Sequence, residues 1–456
     1  MNMLFKRKQP VIPIRGIHLD CKGLPPTPAR LMELPDLLAE LGINCMLVEW
    51  EDMYPWKRYP KLANATAYSP SLVRRFLYKA CKLNIEIIPL IQCLGHMENV
   101  LSRKRFSGLR ECPDNTAELC PSRDASRRLV MNMIDDILET HSGLIRYFHL
   151  GGDEAWSMGS CPECRRSIRR HGAAELYLRH VLPLTDFLKA KDIRPILWDD
   201  MMRKWPPEGL RKISGAADLM AWNYSKTPLE SKDYAKIPLK DNIRRYLHAG
   251  IGVWGASAFK GACGATADLA KVEDRLANLL TWARAGRGLN LKGVVATGWS
   301  RYAYSFVPCE SLEASWNMVV AAAWSMWDGA LPDDAVARMH HFLQKGKMKL
   351  LAGDRFRRCY AAGEAVRNCR QKLMMELTVS AWICPVLGGE PERRNPHMEM
   401  QLLKRIADLR QEGARVLADW QKSHASCVPR VWLRRYMVSR LNFPGLLADA
   451  IASKLK

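Results

Sequence analysis

Eight short apolar runs, each followed by a stretch of helical period, constrain this 456-residue chain more than any other feature. The runs are "VIPIRGIHL", "INCMLVEW", "IEIIPLIQ", "IRYFHLGG", "RPILW", "DLMAW", "IGVWGA" and "GVVATGW". After the first, Leu31, Leu34, Leu37, Leu38 and Leu41 share one helical face and Gly42 supplies a stop. Ser69-Pro70 opens the next helix as a cap followed by a first-turn proline, with Phe76, Leu77 and Ala80 as its stripe. Leu129, Val130, Met133, Ile134, Ile137 and Leu138 repeat at helical spacing after the third run. A further helix is expected through Leu269, Val272, Leu276, Leu279 and Leu280.

Continuous apolar strands alternating with helices imply a parallel sheet covered on its outer face. Eight such units imply a closed (β/α)8 barrel of the α/β class. An open doubly wound sheet shows the same alternation, but "RGIHLDCKG" offers no GxGxxG phosphate loop, and no cofactor is expected. The barrel should close near Trp327, so residues 1–330 read as the barrel domain. Residues 331–456 read as a helical extension rich in Arg, Leu and Met, without a catalytic motif. Its expected role is to pack on the barrel or to form a homodimer interface.

Hydrophobic content of 48% allows a sizeable core, and charged content of 25% without low-complexity tracts argues against disorder. A net charge of +22 would suit nucleic acid, a membrane surface or an acidic glycan. The charge is dispersed, however, and clusters such as "SRKRF" and "RRSIRRH" are only local patches, so a solvated basic surface is the expectation. The N-terminal "MNMLFKRKQP" has no apolar stretch of the kind a secretory signal needs. No apolar run is long enough to span a bilayer. The 14 cysteines are scattered and several fall in apolar runs, which favours a reducing, cytoplasmic setting over a disulfide scaffold.

In such a barrel the site lies at the C-terminal ends of the strands. Read in order, those ends carry Asp20 with Arg15 upstream, then Glu49, Trp50, Glu51 and Asp52, then His96, then Asp153-Glu154. Strand five ends in Trp198, Asp199 and Asp200, strand six in Trp222, Asn223 and Tyr224, strand seven carries Trp254, and strand eight ends in Trp299, Ser300, Arg301 and Tyr302. Flat aromatic faces stack on sugar rings and carboxylates bond hydroxyls. An acid beside an aromatic wall can also acquire the raised pKa a general acid needs.

At this point the motifs resemble glycoside hydrolase family 20, the β-N-acetylhexosaminidases. The family's His/Asn-x-Gly-small-Asp-Glu pattern appears as His149-Leu150-Gly151-Gly152-Asp153-Glu154, and its Arg-Gly-x-x-Leu-Asp as Arg15-Gly16-Ile17-His18-Leu19-Asp20. "VEWEDMYPW", "IPLIQCLGHMENVL", "ILWDDMM", "WGASAFKGA" and "TGWSRY" are similar to its hexosaminidase D-like branch. The resemblance implies exo-acting, retaining release of terminal N-acetylgalactosamine or N-acetylglucosamine, with the substrate's own acetamido oxygen as nucleophile. Asp153 would orient the acetamido N–H, and Glu154 would be general acid and then base. Neighbouring residues of an extended strand point different ways, which would let these two divide the labour. The resemblance also gives sugar-holding roles to Arg15 and Asp199, a supporting role to His96, and an acetamide pocket and ring floor to Trp198, Trp222 and Trp299. Tyr224, or failing it Tyr302, would bond the acetamido carbonyl. Arg301 stands where classical members have a glutamate, which leaves open how the 4- and 6-hydroxyls are recognised.

Three other readings remain at this stage. Cys161-x2-Cys164 is half of a zinc site, which Cys112 and Cys120 could complete; free thiols are the other outcome. The charge could mark a non-catalytic glycan- or nucleic-acid-binding barrel. A protein nucleophile, such as Glu49 paired with Glu154, would give a conventional retaining glycosidase.

Overall fold

The computed structural model describes residues 5–262, 268–301, 307–383, 396–440 and 453. Eight parallel strands close into one barrel in chain order, β1 Ile14–Asp20, β2 Cys45–Glu49, β3 Glu86–Leu90, β4 Tyr147–His149, β5 Arg194–Trp198, β6 Asp218–Trp222, β7 Val253–Lys260 and β8 Gly293–Gly298. Closure comes from Ile14–Ile17 of β1 pairing with Gly293–Ala296 of β8. All eight expected strands are present. Tyr302 lies outside the described residues.

The helices start where the sequence chemistry says they should. Thr27 and Ser69 accept hydrogen bonds from Arg30 N and Leu72 N, at 3.3 and 3.2 Å, and a proline follows each cap. The helix Asp124–His141 buries Leu129, Val130, Met133, Ile134, Ile137 and Leu138 against the barrel. The helix Val272–Gly288 departs from its expected face. Leu269 precedes it, Leu276 and Leu280 are only half-buried, and the buried side carries Arg275, Asn278, Leu279 and Trp282. Those polar groups hold the chain beyond β6. Asn278 Nδ2 donates to the carbonyls of Asn223 and Ser225 at 3.0 and 2.7 Å, Trp282 Nε1 donates to Asn223 O, and an Arg275 nitrogen donates to Tyr224 O.

The barrel interior is filled by Cys45, Leu47, Ile88, Leu90, Ile196, Trp198, Met220, Trp254, Ala256 and Val295. A second apolar layer joins strands to helices, so every strand is covered on both faces. Beyond the helix Trp316–Asp328, Gly329 takes a left-handed C-cap and the chain continues in helices Ala335–Leu343, Asp354–Ile383, Pro396–His424 and 430–440. These pack on the barrel. Arg370 and Arg440 reach Asp268, beyond β7, at 2.7 and 2.9 Å, and Arg30 donates to Leu351 O at 3.0 Å. Trp432 lies under the guanidinium of Arg301, 5.1 Å from its ring centre, so the C-terminal helices buttress the rim that holds the site.

Candidate active site

The pair Asp153-Glu154 does not continue β4, which ends at His149. Gly151 and Gly152 follow with φ of 61° and 82°, and Glu154 itself sits at φ 47°. The glycines are required here. A Cβ on Gly151 would lie 2.0 Å from Gln92 Oε1, and one on Gly152 would lie 2.5 Å from the Tyr177 hydroxyl. The acids diverge because of this left-handed turn, and not through the alternation of an extended strand as the sequence suggested. Glu51 and His96, in the loops after β2 and β3, also hold left-handed backbones, at φ 47° and 55°. Non-glycine residues seldom sit there, and clusters of them mark functional rims.

Above the barrel mouth is a cavity of about 260 Å³, whose walls include Lys22, Gln92, His96, Asp153, Glu154, Trp198, Trp222, Tyr224, Tyr234, Trp299 and Arg301. His96 Nε2 stands 3.5 Å from Asp153 Oδ2 and 3.2 Å from Glu154 Oε2. Burial alone would lower its pKa, but the charge of Asp153 and hydrogen bonds to Asp153 and Glu154 override that and hold it well above the usual histidine range. Glu154 shows the converse. Burial pushes its pKa up, yet the His96 contact and the Tyr234 hydroxyl, donating at 3.3 Å, bring it below the usual carboxylate value. The ligand-free pair is therefore imidazolium and carboxylate, and the raised pKa expected of an acid by an aromatic wall is not on Glu154. It is on Asp200, pushed up to about 8 by burial and by the charge of Asp153. Asp200 accepts from Glu154 N at 3.0 Å and from Trp222 Nε1 at 3.3 Å, which fixes the turn and the ring.

Trp198, Trp222 and Trp299 all line the cavity, as expected. The indole N–H of Trp299 donates to the Tyr224 hydroxyl at 3.0 Å. Burial pushes the Tyr224 phenol up, so its own proton remains available for donation. Arg301 is also in the wall.

Two expected residues are not. Arg15 lies five residues upstream of the end of β1, roughly 16 Å of strand. It donates to the carbonyls of Gly42, Ile12 and Pro13, each at 2.8 Å, and stacks 5.0 Å from Trp327 at the opposite barrel end. Asp199 turns outward into a buried pair with Arg203, at 2.7 and 2.9 Å, while its neighbour Asp200 faces the site. Trp254 is misplaced too. β7 runs six residues further, to Lys260, and Trp254 sits at the strand's base, donating to Asp218 at 3.1 Å.

Besides Gln92, two polar side chains of the wall were not read from the sequence. Lys22, just past β1, bonds Asp20 at 3.2 Å, pairs with Glu49 and lies 5.3 Å from the ring centre of Trp299. Tyr234 comes from an irregular loop and stacks on the exposed ring of Trp156, 4.9 Å between centres. Neither has a periodic or motif signature; only the "DCK" after strand one, with its cation beside an acid, could have drawn attention to Lys22.

The unsatisfied polar atoms are telling. Among the described residues Asp153 Oδ1, Gln92 Oε1 and Trp198 Nε1 are buried without a hydrogen-bond partner, and all three residues line the cavity. Buried polar atoms are ordinarily paired. A ligand able to accept and donate several bonds while stacking on rings would complete them, which is the character of a sugar bearing an amide.

A barrel with this kind of site is a carbohydrate-cleaving enzyme, and comparison fixes the family. Residues 13–330 match the family model "Glycosyl hydrolase family 20, catalytic domain". The chain belongs to that family and is a glycoside hydrolase of the β-N-acetylhexosaminidase type. Among curated proteins it is similar to hexosaminidase D of Bos taurus, 33% identical over 341 residues that cover 72% of this chain and 96% of the relative. It is 35% identical to hexosaminidase D of Homo sapiens over 342 residues, covering 72% of this chain and 69% of that one. Among solved structures, Flavobacterium johnsoniae chitobiase shares the fold with a TM-score of 0.57 at 16% identity, covering 97% of this chain and 72% of its own. Among the described residues no helix is long and apolar enough to cross a membrane.

Proposed function

We propose that this enzyme releases terminal N-acetylgalactosamine or N-acetylglucosamine by exo-acting, retaining, substrate-assisted hydrolysis, with Asp153 and Glu154 as its catalytic residues. The observation that carries the reading is Asp153 Oδ1: a buried carboxylate oxygen, unpartnered among the described residues, on a residue that lines the cavity next to Glu154. An acetamido N–H would satisfy it. Held there, the amide's carbonyl oxygen attacks the anomeric carbon as the glycosidic bond breaks, and Asp153 offsets the positive charge that develops on the ring so formed. Tyr224 donates to that carbonyl, and Trp198, Trp222 and Trp299 enclose the methyl group and the sugar face.

Glu154 protonates the leaving oxygen. Its proton comes from the pair it forms with His96, which holds one proton across 3.2 Å. An arriving aglycone oxygen favours the form in which that proton sits on Glu154, and after departure Glu154 takes a proton from water that opens the cyclised intermediate. Lys22 and Arg301 are cations of the cavity wall, and we assign them to the ring hydroxyls. Trp156 and Tyr234, stacked next to Glu154, form the wall on the leaving-group side.

A protein nucleophile at Glu49 is disfavoured because that carboxylate is already engaged by Lys22 and by Gln92 Nε2 at 3.0 Å, and it does not line the cavity. We further assign residues 1–330 to the catalytic barrel and 331–456 to the helical extension. Exposed Met375 and Met400 support the reading of a homodimer through the extension, which sedimentation would measure. The buried thiols fit a reducing, cytoplasmic setting. The activity is tested with paired aryl N-acetylglucosaminide and N-acetylgalactosaminide substrates and a thiazoline mimic of the cyclised sugar. Turnover of at least one substrate with competitive inhibition by the mimic is expected; turnover that the mimic leaves untouched contradicts the mechanism.

A further inference from the structure

Behind the acid turn lies a second cluster that the reaction does not use. Glu111, Cys120, Cys161 and Cys164 are all buried, and one ligand atom from each lies within 4.8 Å of the others. Glu111 and Cys120 come from the long loop after β3, where Arg110 and Leu119 form an isolated antiparallel bridge. Cys161 and Cys164 come from the end of the β4 loop and the first turn of the helix Pro162–His171. The four-cysteine set considered from sequence is corrected here. Cys112 is not in the cluster and its neighbour Glu111 is.

We propose that these four residues form a structural zinc site of three thiolates and one carboxylate. The Sγ atoms of Cys120 and Cys161 are 3.7 Å apart and those of Cys120 and Cys164 3.5 Å apart. A tetrahedral ion with Zn–S bonds of about 2.3 Å requires edges of about 3.8 Å, whereas a disulfide requires about 2.05 Å. Glu111 Oε2 is 3.1 Å from Cys164 Sγ, and its other oxygen accepts from Gly159 N and Cys161 N at 2.9 and 3.0 Å. That pair of backbone bonds fixes the carboxylate's orientation toward the sulfurs. Cys164 N donates to Cys161 Sγ at 3.3 Å, and the Ser122 hydroxyl lies 3.0 Å from Cys164 Sγ, the contacts a thiolate accepts. Both cysteines sit at the N-terminus of a helix, whose dipole favours negative charge there.

Three thiols lose their protons to solvent as the ion binds, and no position stays open for water, so the ion holds structure and takes no part in hydrolysis. Sulfur-rich tetrahedral donors select zinc over the harder cations. The clamp joins the loop that carries His96 to the one that carries Glu154 and Trp156. Elemental analysis of the full-length enzyme purified without chelator should give one zinc per chain. Cobalt(II) exchanged into the site should show thiolate charge-transfer absorption and the intense bands of tetrahedral cobalt. Cys161→Ser with Cys164→Ser should lose the metal and lower Tm, whereas Cys112→Ser should keep both. Enzyme without zinc, that takes up none when zinc is added and whose Tm zinc does not move, overturns the proposal; so does iron in place of zinc, or loss of the metal in Cys112→Ser.

Discussion

The two ends of this barrel are furnished with the same kinds of residue and do opposite things with them. At the N-terminal end, Arg15 stacks on Trp327 and gives its hydrogen bonds to three carbonyls, while Trp254, Arg194 and Lys292 converge on Asp218 at 3.1, 2.8 and 2.8 Å. At the C-terminal end, Trp198, Trp222 and Trp299 stand beside Lys22, Arg301 and two acids, and several buried polar atoms have no partner among the described residues. One end is a closed network and the other is a network short of a ligand. Depth along the strand, not residue type, separates structure from catalysis.

The strongest way to break that contrast is at Glu154. Glu154→Gln should lower kcat by about 10³-fold on substrates with poor leaving groups and by much less on good ones, since protonation then matters less. Steady-state rates across aglycones of graded acidity would measure it. Asp153→Asn should cost about 10²–10³-fold on all aglycones alike, because it acts on the amide and not on the leaving oxygen. His96→Gln should cost roughly ten- to a hundredfold. It should also move the alkaline limb of the rate profile to lower pH, because the proton of the wild-type pair is held to well above the usual histidine pKa whereas Glu154 alone releases it earlier.

The opposite end should answer differently. Arg15→Ala leaves three carbonyls without their charged donor and should cost about 2–4 kcal/mol of stability with kcat/KM close to that of the wild type. Denaturant unfolding read beside kinetics separates this from the sugar-binding role that the sequence resemblance gave Arg15. The last effect, one on the pH dependence of stability and not on rate, is expected at Asp200. Its folded pKa of about 8 exceeds its unfolded value, so between those values the native state keeps a proton that the unfolded chain has released. Stability contributed by this group is therefore full below the unfolded pKa and declines as pH rises toward 8. Asp200→Asn should flatten that part of the curve of Tm against pH.

The barrel was legible in the sequence because eight apolar runs and their helical partners repeat with little ambiguity. The acids were legible because two glycines and two carboxylates at a strand end are rare. What stayed hidden was depth and direction. Arg15 and Trp254 carry the residue types of a sugar site but lie at the strand bases, and Asp199 and Asp200 are adjacent, so only geometry tells which one faces in. Apolar spacing placed the helix Val272–Gly288 but misread its buried face, which spends Arg275 and Asn278 on hydrogen bonds to the loop that carries Tyr224. Tyr234 was invisible because an irregular loop has no period to read.

The central claim is that the substrate supplies the attacking oxygen while Asp153 steers it. The most direct measurement is kcat/KM for a series of aryl glycosides whose N-acetyl group carries none, one, two or three fluorine atoms. Fluorine drains the carbonyl oxygen of nucleophilicity without touching the leaving group. A steep, stepwise fall along the series is predicted; rates that stay level across it would contradict the account.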